Sequence, residues 1–153
     1  MSKYGVIVYE GGKFESQNLL NLGDYVQSTA AKQFLPQVDK YVTREGMHLY
    51  NDENIKMIMN AWYMANPENF PPSNKIEPLY VSVHLNSSIV DKIFRPDVIA
   101  HFKKFQPIGC RDNHTRDLLQ AKGIDAYYSG CMTLTLGHTY KRENVTNEVI
   151  FVD

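Results

Sequence analysis

Short apolar runs rich in β-branched residues recur along this chain, and between them lie segments with helix start and stop signals. Residues 4–10 (YGVIVYE) form the first run and read as a buried strand. Residues 24–34 read as a helix, with Leu22, Val26, Ala30 and Phe34 at four-residue spacing and Pro36 closing it. Residues 39–44 are a short second strand and residues 55–64 a third. The segment 66–78 contains Pro67, Pro71, Pro72 and Pro78 and reads as a loop. Residues 79–86 alternate, with Leu79, Val81, Val83 and Leu85 on one side and Tyr80, Ser82, His84 and Asn86 on the other. Residues 89–105 are weakly helical, with Pro96 as a start. Residues 107–110 and 125–128 are short strands on either side of a helix over 113–122. In that helix Thr115, Leu118, Leu119 and Lys122 share a face, and Gly123 supplies the stop. Residues 148–152 (EVIFV) form a final strand. Strands alternating with helices predict an α/β, Rossmann-like domain: a mostly parallel open sheet with helices on both faces. Its core strands should include Val6, Ile7, Ile58, Val81 and Val83.

At 153 residues the chain suits a single domain, over 1–153, with one core. A formal net charge of −1 argues against nucleic-acid binding, which needs a basic excess. No run reaches the roughly 18 apolar residues of a membrane span. The start, MSKYGVIVYE, has no signal-peptide core, so a cytoplasmic protein is the expectation. Cys110 and Cys131 form no CxxC pair and no zinc-spaced cluster, so reduced thiols and no metal are expected. The sequons at Asn86, Asn113 and Asn144 then read as chance matches. The chain ends on a strongly apolar strand, which suggests that a second domain follows.

In a parallel sheet ligands bind outside the carboxyl ends of the strands, so polar residues there are the candidates. The first such loop offers Asn21, Gly23, Asp24 and Gln27. Asp24 is placed to cap the helix, and Gly23 to turn with positive φ or to let a ligand approach. The pattern is neither GxGxxG nor a P-loop, so nothing here points to a nucleotide. Asn60 beside Trp62, the chain's single tryptophan, suits a sugar ring, although an aromatic of that size commonly packs in the core. His84 lies near a strand end with no partner base visible in sequence. In "PIGCRDNHT", Arg111 could clamp a carboxylate or phosphate, and Asp112 or Asn113 could cap the following helix. Ser129, Gly130 and Cys131 close the last strand of the set; Cys131 has no activating His nearby, so a nucleophile role is not expected.

Taken together, "NLGDYVQSTAAKQFLP" and "PIGCRDNHTRDLLQAKGIDAYYSGCMTLTL" resemble the polysaccharide pyruvyl transferase family. The likeness rests on Asn21, Gly23 and Asp24; on Gly109, Arg111 and Asp112; on Leu118, Leu119, Gly123 and Ile124; and on Ser129, Cys131 and Leu134, in that order. It covers most of the chain, from about Tyr4 to Leu136. The resemblance implies transfer of a pyruvyl group from phosphoenolpyruvate to a sugar of a cell-surface polysaccharide or its precursor, with no other cofactor. It implies two Rossmann-like halves facing each other, as in glycosyltransferases of the B type. This chain then corresponds to the N-terminal half, with the second half absent.

On that basis Asp24 and Arg111 are the catalytic candidates, for the acceptor and the donor respectively. Asn21, Gly23, Gln27, Asn60, Trp62, His84, Asp112 and Ser129 are the substrate-binding candidates. With Arg111 the one strand-end cation counted, the chain by itself should be inactive. The other readings are a non-catalytic saccharide-binding or interaction module, and the half-domain of a nucleotide-sugar glycosyltransferase. The face left by a missing half predicts self-association.

Overall fold

Val6 and Ile7 occupy the middle of the first strand, β1 (Tyr4–Val8), and both are buried. The computed structural model describes residues 2–9, 21–62 and 66–141. Further along the chain come β2 (Lys40–Thr43), β3 (Ile55–Met59), β4 (Ile76–Tyr80), β5 (Ile108–Cys110) and β6 (Ala126–Tyr128). Every pairing among these strands is parallel. One sheet has the order β2-β1-β3-β4, and β5 pairs with β6. Just past β4 the two sets join: the Val83 N–H donates to the Gly109 carbonyl at 3.0 Å, and the Arg111 N–H to the Val83 carbonyl at 2.8 Å. The chain moves outward from β1 to β2 and then returns to β3, so the strand order reverses between β1 and β3.

The helices are α1 (Leu22–Lys32), α2 (Val90–Ile93), α3 (Pro96–Lys104), α4 (Asn113–Ala121) and α5 (Leu136–Thr139). They cover both faces, as the sequence pattern implies. On one face Ile93, Val98, Phe102 and Leu119 pack with Ile7, Met57, Met59, Tyr80 and Ile108 in one buried cluster. Phe102 stacks on Phe70 with centroids 5.3 Å apart, and Tyr80 bonds through its hydroxyl to His101 Nε2 at 2.8 Å. Burial pushes the pKa of His101 down to about 4, with Lys104 adding to the effect, so at neutral pH the ring is an uncharged partner. On the other face α1 and the turn before α5 bury Ala30, Ala31, Ile58 and Met132. Period-two alternation in β3 separates Met57 and Met59 from Ile58 in this way. Pro96 starts α3, and Gly123, at φ 69, follows α4 in the left-handed conformation that favours glycine.

Two expectations are corrected. In α1 the buried face is Gln27, Ala30 and Ala31; of the expected Leu22–Val26–Ala30–Phe34 stripe only Ala30 is buried, and Leu22, Val26 and Phe34 are 68%, 40% and 51% exposed. Alanines bring the helix axis close to the sheet, where larger side chains have no room. The alternation over 79–86 is also broken. Ile76, Pro78 and Tyr80 point inward and Leu79 outward, whereas beyond Ser82 the inward residues are Val83 and Leu85. Ser82 has φ 58, and this left-handed step shifts the phase by one residue. Val81 is accordingly half-buried, while Val6, Ile7, Ile58 and Val83 are core as expected.

The strand also begins earlier than the prolines suggest, at Ile76. Val81 N–H bonds the Met59 carbonyl, so odd residues face β3 and Pro78 turns its nitrogen to the side where β5 has not begun. The expected strand over 148–152, and the ends of the strands expected over 4–10 and 55–64, lie outside the described residues.

The packing of α1 predicts opposite outcomes for two substitutions. Ala30→Leu should overpack the sheet contact and destabilise by about 1–3 kcal/mol, whereas Leu22→Ser should stay within about 0.5 kcal/mol. Urea unfolding of both variants checks the assignment; the reverse order would restore the Leu22 stripe as the buried face.

Candidate functional site

Parallel pairing puts every strand's carboxyl end at one edge, and the polar residues collect there. β1 leads to Tyr9, β2 to Arg44, β3 to Asn60 and Trp62, β4 to Ser82 and His84, β5 to Arg111 and Asp112, and β6 to Ser129 and Cys131. The first turns of α1 bring Asn21, Gly23, Asp24 and Gln27 to the same edge. Gln27 lies 3.5 Å from Cys131 Sγ, and the charge of Arg111 acts on Asp24. The Asn21 turn and the Arg111 turn therefore share an edge, as expected of two loops that follow parallel strands.

The N-cap of α1 is Asn21, not Asp24: the Asn21 side-chain oxygen accepts the Gly23 N–H at 3.1 Å. Gly23 is a helical residue with no positive φ, and a Cβ there would approach that cap oxygen to 3.2 Å. Released from capping, Asp24 projects toward Arg44, with Oδ2 at 3.6 Å from Nη1. Burial raises the Asp24 pKa above its ordinary value, and the opposing pull of Arg44 and Arg111 does not cancel that rise. Tyr9 stands beside the pair with its pKa pushed up to about 12, by burial first and by Asp24 second.

His84 gains the partner that the sequence hides. Its Nδ1 lies 2.6 Å from Asp112 Oδ2, and the other oxygen, Oδ1, accepts the Thr115 N–H at 2.8 Å as the N-cap of α4. Burial pushes the Asp112 pKa up, but the hydrogen bonds from His84 and Thr115 outweigh it and hold the carboxyl below its usual range. One carboxylate thus fixes both a helix start and an imidazole. A short parallel bridge pairs His84 with Trp62, placing the dyad next to the aromatic at the end of β3.

Other candidates sit deeper. Asn60 is buried, and its amide nitrogen donates to the Gln27 carbonyl at 2.8 Å, tying α1 to β3. The Ser129 hydroxyl accepts the Ser82 N–H at 3.0 Å and donates to the Cys110 carbonyl at 3.1 Å, closing the β4–β5–β6 corner. Cys110 and Cys131 are free thiols, and burial, with Asp112 adding to it, pushes Cys110 up to about 12. Among the described residues no group of three or more His, Cys, Asp or Glu side chains is placed to hold a metal ion. No described helix is long and apolar enough to cross a membrane.

Arg44 is the site residue that sequence reading missed. It stands directly at the end of β2, so the strand-end rule that selected Arg111 applies to it equally. The edge therefore carries two arginines rather than one. A groove of about 880 Å³ lies at the opposite edge, lined by Lys3, Lys56, Lys75, Glu77 and Lys104. It faces the amino ends of the strands and shares none of these residues.

A model of the polysaccharide pyruvyl transferase family matches residues 21–151. No curated protein and no solved structure matches the chain.

A raised carboxyl pKa means that the folded state holds its proton more tightly than the unfolded chain does. Stability from Asp24 is then fullest below the ordinary value of 3.8 and is lost as pH rises through the raised folded pKa. Asp24→Asn should accordingly resist urea better than the parent at pH 7, with the gap closing toward pH 3.8. A variant less stable at pH 7 would show that the Arg44 contact outweighs burial.

Proposed function

The chain belongs to the polysaccharide pyruvyl transferase family, and we propose that it supplies the acceptor side of pyruvyl transfer from phosphoenolpyruvate to a saccharide. The observation that carries this reading is the His84–Asp112 pair at 2.6 Å on the strand-end edge. Forming a cyclic ketal requires two sugar hydroxyls to add at C2 of the enol. One hydroxyl proton ends on C3, making it a methyl group, and the other leaves with the phosphate. Those transfers need a group that takes a proton from a hydroxyl and one that hands a proton on. With Nδ1–H donated to Asp112, His84 presents Nε2 as a base toward the acceptor. Asp24, its pKa raised by burial, is suited to hold the second hydroxyl and exchange its proton. Trp62 offers a ring face for the sugar beside His84, and Arg111 meets the donor.

A saccharide acceptor follows from the family, and its setting in this reading is the cytoplasmic assembly of a cell-surface polysaccharide or its precursor. The donor brings a carboxylate and a phosphate, and stabilising both through the transition state takes several converging cations in a water-poor cleft. Arg44 is paired with Asp24 and Glu45 and the charge of Arg111 also acts on Asp24, so the two arginines do not by themselves meet that demand. In this reading the 153-residue chain therefore binds acceptor without turning over donor. We also propose self-association through apolar side chains left in solvent, among them Leu22, Phe34, Leu79 and Leu134. Light scattering that finds one monomeric species at all concentrations would overturn that part.

Saturation-transfer NMR with a panel of pyranosides tests the acceptor site. Binding should be saturable and lost in His84→Ala, and the absence of binding to any pyranoside would sink the reading. Phosphate release from phosphoenolpyruvate tests the division of labour: none that depends on acceptor is expected from the purified chain. Acceptor-dependent release that Arg111→Ala abolishes would show that one half suffices.

A further inference from the structure

Arg44 is held as a ligand-binding cation is held, yet the proposed chemistry leaves it without a task. Its guanidinium carbon lies 5.1 Å from the Tyr9 ring centre and 5.2 Å from that of Trp62, so two aromatic rings flank it. Nε donates to Glu45 Oε1 at 2.7 Å. The side chain is 8% exposed, and Nη1 is buried with no hydrogen-bond partner among the described residues. Its neighbour Asp24 Oδ2, at 3.6 Å, is beyond hydrogen-bond reach. A charged donor removed from water without a hydrogen bond is unfavourable, and such an atom calls for an explanation, which a bound water or ion can supply. Arg111 is partly buried, and its guanidinium makes no ion pair or hydrogen bond to a described residue, yet its charge reaches Asp24, Tyr9 and Cys131.

We propose that Arg44 and Arg111 form an anion site at the β1/β3 switch point, which takes a carboxylate or phosphate group between Arg44 Nη1 and the Arg111 fork. The aromatic clamp fixes the Arg44 plane before the ligand arrives, so little side-chain freedom is lost on binding. Glu45 is already engaged by Nε and leaves Nη1 free. Asp24 is the competing carboxylate. Burial disfavours its charged form, which weakens its competition with an incoming anion for Arg44. The inference deepens the pyruvyl-transfer reading and rests on it only for the identity of the ligand, because the donor named there carries both anionic groups.

The test is binding, measured without turnover. Isothermal titration calorimetry of the purified chain would use phosphoenolpyruvate, inorganic phosphate, glucose 1-phosphate and the neutral methyl glucoside. Emission from Trp62, the only tryptophan in the chain, reports whether binding occurs against Arg44. Saturable binding of the anions is expected, with a change in Trp62 emission that is lost in Arg44→Met. Affinity should fall at least about tenfold in Arg44→Met and in Arg111→Ala. Arg44→Lys keeps the charge but lacks the fork, so it should lose about tenfold as well, and it decides the matter if the Met variant does not fold. Phosphoenolpyruvate binding tighter than glucose 1-phosphate assigns the anion to the donor; the opposite order assigns it to a phosphate carried on the acceptor. No saturable anion binding, or an unchanged affinity in Arg44→Lys, overturns the site. Loss of pyranoside binding alone would fail the acceptor reading and leave this site standing.

Discussion

Parallel pairing of the strands is the constraint from which the rest of this molecule follows. A parallel neighbour is reached only by a crossover, so each return of the chain lays a helix or a long turn on one face of the sheet. The same geometry sends every carboxyl end to one edge. Residues as distant in sequence as Tyr9, Arg44, Trp62, His84, Arg111 and Ser129 thus become neighbours there. The strand order reverses between β1 and β3 at that edge, with the first turns of α1 beside it. Asn60 ties α1 to β3 from below, through the Gln27 carbonyl, and so fixes the height of the turn that carries Asp24.

Electrostatics then distinguishes the groups at the edge. Asp112 accepts hydrogen bonds from His84 and Thr115, which favour its ionised form. Asp24 is enclosed, and burial dominates despite two arginines nearby. Two carboxyls of the same strand-end edge are therefore pushed apart in acidity, a separation that commonly accompanies division of acid and base roles. The stability that Asp24 forgoes at neutral pH is compatible with its retention for chemistry rather than for folding. Arg44 shows the same tension: its charge is sheltered between two rings, with one donor left unpaired.

The two faces of the sheet are built differently. One is deep and aromatic, with Phe70, Tyr80 and Phe102 in mutual contact. The other is shallow, closed by the alanines of α1 and by Met132. Leu79 and Tyr127 on this side remain 62% and 46% exposed. Gly109 lies beneath the Tyr127 ring, where a Cβ would come within 2.9 Å of the hydroxyl. Tyr127 thus covers backbone that no helix reaches.

The amino-acid sequence by itself determined what depends on local period and local chemistry. Short apolar runs located β1, β2, β3, β5 and β6, Pro96 and Gly123 marked helix ends, and Asp112 was legible as a cap because its partner Thr115 is three residues away. The strand-end rule picked out Asp24, His84 and Arg111 as residues of one edge. What it could not decide were relations between residues remote in the chain. The face that α1 buries depends on how close β3 and Met132 stand, so Gln27 and Ala31 are buried beside Ala30 while the larger Leu22, Val26 and Phe34 of the expected stripe are left in solvent. The phase of residues 79–86 turned on a single backbone step at Ser82, whose hydroxyl is anchored by the Gly130 carbonyl at 2.8 Å. The partner of His84 lies 28 residues away, and the aromatic rings around Arg44 come from the segments that follow β1 and β3. Such contacts are products of the sheet order, and only the tertiary structure contains that order.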